Sequence, residues 1–215
     1  MLKRILCFGN SNTWGYIPGL GKRYDSDERW TGIMALELGK EYQIIEEGLN
    51  GRTIASEDPN RPGRNGIIYL VPCLETHSPL DIVILFLGTN DLKDYYKSSV
   101  HDIAVNMEKM IRLIKNVQFG SKGMAPEVLL ISNPHISENV LPDSPFQNAS
   151  KKSKRLISEY KKIAIVNHCH FLDISSNVKV SPIDGVHLDE ENHNILAGLL
   201  IKEIKKIEKN SHNIS

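Results

Sequence analysis

The sequence predicts an α/β fold, a three-layer α/β/α sandwich built on a five-stranded parallel sheet. Five short segments rich in Ile, Val and Leu are mostly continuous in apolar residues, which is typical of parallel strands that are buried on both faces. Helical patterns separate these segments, and such alternation indicates βαβ units. The predicted strands are Ile5–Phe8, Tyr42–Glu46, Ile82–Leu87, Val128–Ser132 and Phe171–Ile174.

Two helical segments are predicted in the first half of the chain. One spans Trp30–Leu38, between the first and second strands. The other, Asn65–His77, is ambiguous, because Pro72 lacks the N–H that a helix interior needs. The connection between the second and third strands therefore stays open at this point.

Three further helices follow. The clearest extends from Val100 to Ile114, with apolar side chains at helical spacing and Ser98 or Ser99 as its cap. Another spans about 150–167. The last begins after Asp189 with two glutamates in its first turn, where the helix dipole favours negative charge. Its expected buried residues are Ile195, Leu196, Leu199 and Ile207.

Composition limits the classes of function. The 215 residues are expected to form one domain, 1–215, and Lys+Arg equal Asp+Glu at 26 each, which argues against a nucleic-acid partner. No apolar run reaches the ~18 residues of a membrane span, and the run after Arg4 is too short for a signal peptide. Cys7, Cys73 and Cys169 are far apart, which fits a reducing cytoplasm better than a disulfide scaffold.

Small polar and titratable residues follow four of the predicted strands. Because ligands of an open parallel sheet bind outside the carboxyl ends of its strands, these residues are expected to meet at one rim. Each alone has a plain structural explanation, such as a helix cap or a turn glycine. The four groups are Gly9-Asn10-Ser11, Gly48 with Gly51, Gly88 with Asn90 and Asp91, and Asp184 with His187.

These residue types can carry out acyl transfer. A serine hydroxyl such as that of Ser11 needs an adjacent base, and His187 can serve, because an imidazole is largely neutral at pH 7. Asp184, three residues before it, can orient the ring. The Ser11 and Gly51 N–H groups and the Asn90 amide are the available donors for the oxyanion of the tetrahedral intermediate. The GxSxG motif of the α/β-hydrolases is absent.

Four motifs, "FGNSNTWG", "EEGLNGRT", "LGTND" and "DGVHLD", occur in the order found in the SGNH (GDSL-type) hydrolases. The chain resembles this family from Phe8 to His187. The resemblance implies a flavodoxin-like fold and hydrolysis of carboxylic esters without a metal or other cofactor. It assigns Ser11, Asp184 and His187 as the catalytic triad. It assigns the oxyanion hole to Ser11, Gly51 and Asn90, with Gly51 chosen over Gly48 because the family's glycine is followed one residue later by threonine.

Within that family the motifs look most like the arylesterase/acyltransferase branch. This likeness implies short-chain acetyl or aryl esters as substrates, acyl transfer to alcohols as a second activity, and a homo-oligomer. Trp14 and Tyr16, just after the nucleophile, are expected either to narrow the acyl pocket or to be core aromatics. Asn10 departs from the family, which usually has Asp before the serine.

Three alternatives stay open. The substrate could instead be that of a carbohydrate acetylesterase or of a lysophospholipase-like lipase of the same family. A metal-dependent hydrolase would use His187 and His193 in "HLDEENH", although their spacing does not place them on one helix face. A flavodoxin-like protein without catalysis would only bind its ligand. The favoured partner is a small-molecule ester, with no nucleic acid and no membrane.

Overall fold

The computed structural model describes residues 2–120 and 123–212 of the chain. Its sheet contains five parallel strands in the order β2-β1-β3-β4-β5, which is the flavodoxin-like order and confirms the predicted fold class. The strands are β1 (Lys3–Gly9), β2 (Tyr42–Gly48), β3 (Ile82–Phe86), β4 (Glu127–Ile131) and β5 (His170–Leu172). Each lies within three residues of its predicted bounds.

Helices cover both faces of this sheet. They are α1 (Ser11–Trp14), α2 (Trp30–Leu38), α3 (Gly66–His77), α4 (Val100–Lys115), α5 (Ala149–Val166) and α6 (Glu190–His212), with short 3₁₀ turns at Gly39–Glu41, Asn90–Leu92 and Asp94–Tyr96. Helices α3, α4 and α5 pack on one face, and α2 and α6 pack on the other. The result is the three-layer sandwich that the sequence predicts.

The strands are apolar throughout because both faces are buried. On β1, Leu6 and Phe8 contribute to the core beneath α3–α5, whereas Ile5 and Cys7 contribute to the core beneath α2 and α6. All four side chains are fully buried. Burial of an aliphatic or aromatic side chain contributes about 1.5–3 kcal/mol, so the sheet is a rigid base for the loops at its ends.

The ambiguous segment before the third strand is helical. Helix α3 contains Pro72 in its interior, and Pro72 is exposed, so the helix carbonyl that lacks a partner there lies on the solvent side. Leu70, Cys73 and Leu74 on the opposite face are buried in the core. Burial of this face outweighs the local cost of the proline.

Two helix details also bear on the predictions. Ser99 is the cap of α4, and it forms a reciprocal capping box with Asp102. The expectation that Ile195 is buried is wrong: it is 36% exposed, because α6 turns Leu196, Leu200 and other residues at that spacing toward the sheet. Within the described residues, no helix combines the length and the apolar character that crossing a bilayer requires.

Candidate active site

Ser11 lies where β1 ends, as the first residue of the one-turn helix α1. Asn10 caps this turn, and its side-chain oxygen accepts a hydrogen bond from the Asn12 N–H at 3.0 Å. Ser11 itself is 7% exposed. The polar run is therefore a helix cap, and it also holds the serine hydroxyl at the carboxyl end of the sheet.

Two glycines let this turn pack closely against the sheet. A Cβ at Gly9 would clash with the Thr13 side chain, and a Cβ at Gly48 would clash with the Trp14 backbone. Either substitution would force the turn outward. Since Ser11 is part of the turn, its hydroxyl would move as well.

Ser11, His187 and Asp184 form a continuous chain of hydrogen bonds. His187 Nε2 lies 2.9 Å from Ser11 Oγ, and His187 Nδ1 lies 2.7 Å from Asp184 Oδ2. A carboxylate at Nδ1 favours the tautomer that carries its proton there, which leaves Nε2 free to accept the serine proton. The structure thus brings together the three residues that the sequence predicts as a triad.

The Asp184 carboxylate is fixed by the backbone N–H groups of the residues that follow it. Its Oδ1 accepts the N–H groups of Val186 and His187, both at 3.0 Å, and Gly185 at φ 73° makes the tight turn possible. Burial acts to raise the pKa of Asp184, but the hydrogen bonds from His187 and from the backbone outweigh it and hold the pKa below the ordinary value. The carboxyl is therefore ionised when it faces the imidazole.

Asn12 joins the serine turn to the histidine loop. Its Oδ1 accepts the Leu188 N–H at 3.1 Å, and its backbone carbonyl accepts the indole N–H of Trp30 at 2.9 Å. Both Asn12 and Trp30 are buried. These contacts fix the separation of Ser11 and His187, and they could not be predicted from the sequence because they join distant segments.

Three hydrogen-bond donors lie at the ends of β1, β2 and β3. Among the described residues, neither the Ser11 N–H nor the Gly51 N–H donates a hydrogen bond. Gly51 has φ 83°, which favours glycine at this position. The Asn90 side-chain amide donates one N–H to the Arg52 carbonyl at 3.0 Å and has a second N–H to offer. These are the groups predicted for an oxyanion hole.

Arg52 fixes the loop that carries Gly51. Its guanidinium donates to the Gly9 carbonyl at 3.1 Å and to the Glu47 carbonyl, and it stacks 4.2 Å from the Phe8 ring centre. Arg52 is only 3% exposed, and burial lowers its pKa. Arg52 lies in the motif "EEGLNGRT", but neither its residue type nor its spacing indicates this role.

Asp91 connects the second and third loops of the site. Both of its oxygens accept the Ile54 N–H, at 3.0 and 3.2 Å. Asp91 is 2% exposed, and burial raises its pKa to about 7. A carboxyl that is only about half ionised at pH 7 therefore holds the loop after Gly51 against the turn that begins with Asn90.

The two predicted pocket aromatics differ in placement. The Tyr16 ring lies against His187, with ring centres 4.2 Å apart. The Trp14 ring instead packs against the Arg23 guanidinium, 5.4 Å away. Both are partly buried, so neither is a core residue. Only Tyr16 has a contact with the triad.

His187 and His193 do not share a metal site. The His193 ring is fully buried, its Nδ1 accepts the Trp30 N–H at 3.4 Å, and both ring nitrogens of His187 face Ser11 and Asp184. Among the described residues, a separate cluster of possible metal ligands is formed by Glu47, Cys73 and His77. The triad region therefore supports acyl transfer by a serine hydroxyl.

The site combines a Ser–His–Asp chain at the carboxyl end of a parallel sheet with neighbouring N–H groups that have no hydrogen-bond acceptor among the described residues. This combination is typical of a serine hydrolase. Residues 7–195 match the profile of the GDSL-like lipase/acylhydrolase family, and the chain belongs to that family. The predicted family and the predicted activity class, a carboxylic ester hydrolase, are confirmed. Comparison with curated protein sequences gave no significant match.

Solved structures of esterases are similar over almost the whole chain. The native aryl esterase of M. smegmatis is 36% identical, with a TM-score of 0.90 over 95% of this chain and 99% of that one. Est24, a carbohydrate acetylesterase from Sinorhizobium meliloti, has the same identity, TM-score and coverage. A second carbohydrate acetylesterase family member from that organism is 31% identical, with a TM-score of 0.90 over 95% of this chain and 98% of that one.

Proposed function

We propose that the protein hydrolyses short-chain acetyl or aryl esters through an acyl-enzyme on Ser11. The observation that carries this proposal is the hydrogen-bonded chain from Ser11 Oγ through His187 to Asp184, at 2.9 and 2.7 Å. A serine beside an oriented imidazole has the base that its weak nucleophile requires. The donors of Gly51 and Asn90 supply the other requirement, which is stabilisation of the developing oxyanion.

Acylation follows from this geometry. Ser11 Oγ attacks the ester carbonyl carbon while His187 Nε2 takes the hydroxyl proton, and the carbonyl oxygen becomes an oxyanion. The Ser11 and Gly51 N–H groups and the free N–H of Asn90 donate to that oxygen. Asp184 stabilises the imidazolium. When the intermediate collapses, the bond to the alcohol oxygen breaks, and the alcohol leaves with the proton from His187.

Deacylation repeats these steps with a second nucleophile. Water gives its proton to His187 and attacks the acyl carbon, and the acid departs as Ser11 regains its proton. An alcohol in place of water would give a new ester, so acyl transfer needs no additional group. We therefore propose that the protein can also transfer the acyl group to alcohols.

Short acyl chains are proposed because Tyr16 lies directly on His187 and limits the space beside the base. Two of the similar solved structures carry the name carbohydrate acetylesterase, and an acetyl group is a small acyl group. A series of p-nitrophenyl esters from acetate to decanoate tests this. We expect kcat/KM to be highest for the shortest esters. An optimum at long chains would favour a lysophospholipase-like activity instead.

The nucleophile is tested by covalent labelling with an organophosphonate and by mass spectrometry of the labelled peptide. We expect one adduct, on Ser11, and loss of both adduct and turnover in Ser11→Ala. Ser158→Ala is the matched control, because Ser158 is an exposed serine on α5 and its variant should keep both. Full turnover by Ser11→Ala would refute the mechanism, and a protein that takes no label would be a binding protein without catalysis.

Three further properties are part of this proposal. We propose one hydrolase domain over residues 1–215, a homo-oligomer, and a cytoplasmic location. The three cysteines Cys7, Cys73 and Cys169 are all free thiols, which fits a reducing compartment. Light scattering on the purified protein measures the oligomeric state, and a monomer at micromolar concentration would contradict the second property.

A further inference from the structure

A thiol, an imidazole and a carboxylate meet beside β2 and α3, outside the Ser–His–Asp chain. They belong to Cys73, His77 and Glu47, and their ligand atoms all lie within 4.8 Å of one another. Cys73 and His77 are four residues apart on α3, so their side chains share one helix face. Glu47 comes from β2. Two rigid elements therefore contribute to this Glu47–Cys73–His77 cluster.

We propose that the Glu47–Cys73–His77 cluster binds one divalent transition-metal ion, and that this ion is zinc. Thiolate, imidazole and carboxylate are all zinc ligands, whereas magnesium and calcium prefer oxygen atoms alone. Three protein ligands leave a fourth position for water. The bound ion would join β2 to α3 without taking part in the chemistry at Ser11.

The distances fit a zinc ion after small side-chain movements. With bonds of about 2.0–2.3 Å, ligand atoms of a tetrahedral site lie about 3.3–3.8 Å apart. His77 Nε2 and Glu47 Oε1 are 2.8 Å apart as a hydrogen-bonded pair, so they must separate slightly. Their side chains are 26% and 17% exposed and can move without disturbing the core. Cys73 is 1% exposed and closes the inner side of the site.

The neighbouring cation does not occupy the ligand position. Arg52 Nη2 lies 3.8 Å from Glu47 Oε2, whereas His77 and the Tyr69 hydroxyl contact the other oxygen, Oε1. Arg52 is also held by the Gly9 carbonyl. Glu47 can thus bind a metal through Oε1 and keep its Oε2 toward Arg52.

The charges of the site suit a divalent ion. Zinc displaces the proton of a thiol ligand when it binds, so Cys73 would enter the site as a thiolate. The thiolate and the Glu47 carboxylate supply two negative charges against the two positive charges of the metal. The Arg52 guanidinium, 3.8 Å from Glu47 Oε2, stays outside the ligand set and adds one positive charge at its edge.

Cobalt, which reports sulfur ligation by its colour, is the first probe, and zinc is the second. Metal-free protein is titrated with Co²⁺, and we expect a sulfur-to-cobalt charge-transfer band that saturates at one ion per chain and disappears when Zn²⁺ is added. Cys73→Ser should lose the band. His77→Gln should weaken zinc binding by more than the about 10–100-fold typical of an outer-shell partner.

Matched controls come from a second cysteine and a second His–Glu pair. Cys169 is a free, partly buried cysteine. His170 lies 3.3 Å from Glu127, but among the described residues this pair has no cysteine close enough to complete a three-ligand cluster. Cys169→Ser and His170→Gln should both keep the band and the zinc affinity. If either control variant loses the charge-transfer band as Cys73→Ser does, the metal binds elsewhere and the proposal is wrong.

Two other results would overturn the site. One is the absence of a charge-transfer band in the wild-type protein, and the other is a band that survives Cys73→Ser. If Cys73→Ser does not fold, His77→Gln decides, because His77 is partly exposed. Ester hydrolysis by metal-free protein should be unchanged in both variants, and a chelator should lower the Tm of the zinc-loaded protein without lowering turnover. Loss of turnover on chelation would contradict the separation of this site from Ser11.

Discussion

Asp91→Asn is expected to change how the stability of the protein depends on pH. Burial raises the pKa of Asp91 from the ordinary 3.8 to about 7, so the folded protein holds this proton more tightly than the unfolded chain does. The stability from the neutral carboxyl is complete below the unfolded pKa and is lost as pH rises through the folded one. At about 1.4 kcal/mol for each pH unit between the two values, ionisation of folded Asp91 costs about 4 kcal/mol.

Asparagine keeps the acceptor and cannot ionise. Its amide oxygen can still accept the Ile54 N–H, which Asp91 receives at 3.0 and 3.2 Å. We therefore expect Asp91→Asn to be more stable than the wild type at alkaline pH. The difference in the free energy of unfolding should widen by about 2–3 kcal/mol between about pH 5 and about pH 8, in line with the linkage relation.

Urea unfolding of both proteins across this pH range measures the difference. The comparison is needed because His193 acts in the opposite sense: burial lowers its pKa to about 4, so the stability it contributes is lost as pH falls. Subtracting the two curves removes that contribution. Asp27→Asn, at an exposed carboxylate, should follow the wild type throughout. Parallel curves for Asp91→Asn and wild type would refute the reasoning.

Five further variants test the roles assigned at the site. Asn90→Ala should lower kcat by about 10²–10³ with little change in KM, and a change in KM alone would exclude an oxyanion donor. Arg52→Lys keeps the charge but loses the guanidinium fork, so both kcat and Tm should fall, and a wild-type kcat would remove Arg52 from the support of the loop. Tyr16→Ala should shift the p-nitrophenyl ester optimum to longer chains while Trp14→Ala should not, and equal profiles would reject this pocket. Asn10→Asp should raise stability by about 1 kcal/mol in urea unfolding, since a charge-assisted hydrogen bond replaces a neutral one, and a loss would mean that burying the charge costs more.

Much of the fold could be predicted because local patterns and global packing agree. Continuous apolar strands between helical segments indicate a parallel sheet, and strand ends then locate Ser11, Asn90 and His187 at one rim. The helix around Pro72 could not be predicted, because its stability comes from burial of one face against the sheet. That burial depends on the tertiary structure and not on the local sequence. The phase of α6 at Ile195 was missed for the same reason.

The site divides in a similar way. Asp184 and His187 lie in one short motif, so their spacing suggested a pair and the resemblance to the SGNH hydrolases then assigned them to a triad. Asn12 and Arg52 could not, because their importance lies in contacts across 176 and 43 residues of sequence. The different placements of Trp14 and Tyr16 depend on the path of the loop that follows them, and residue type does not encode that path.

The partners Ser11 and His187 are separated by 176 positions along the chain. All five strands precede Asp184, so a growing chain can assemble its whole sheet before it possesses a base. On the proposed mechanism, the Ser11 hydroxyl is made first and stays a poor nucleophile until the loop that carries His187 is complete. During synthesis, ester cleavage is therefore among the last properties to be gained. The time at which ester cleavage begins would therefore report when the whole fold is complete, whereas formation of the strands would report only the sheet.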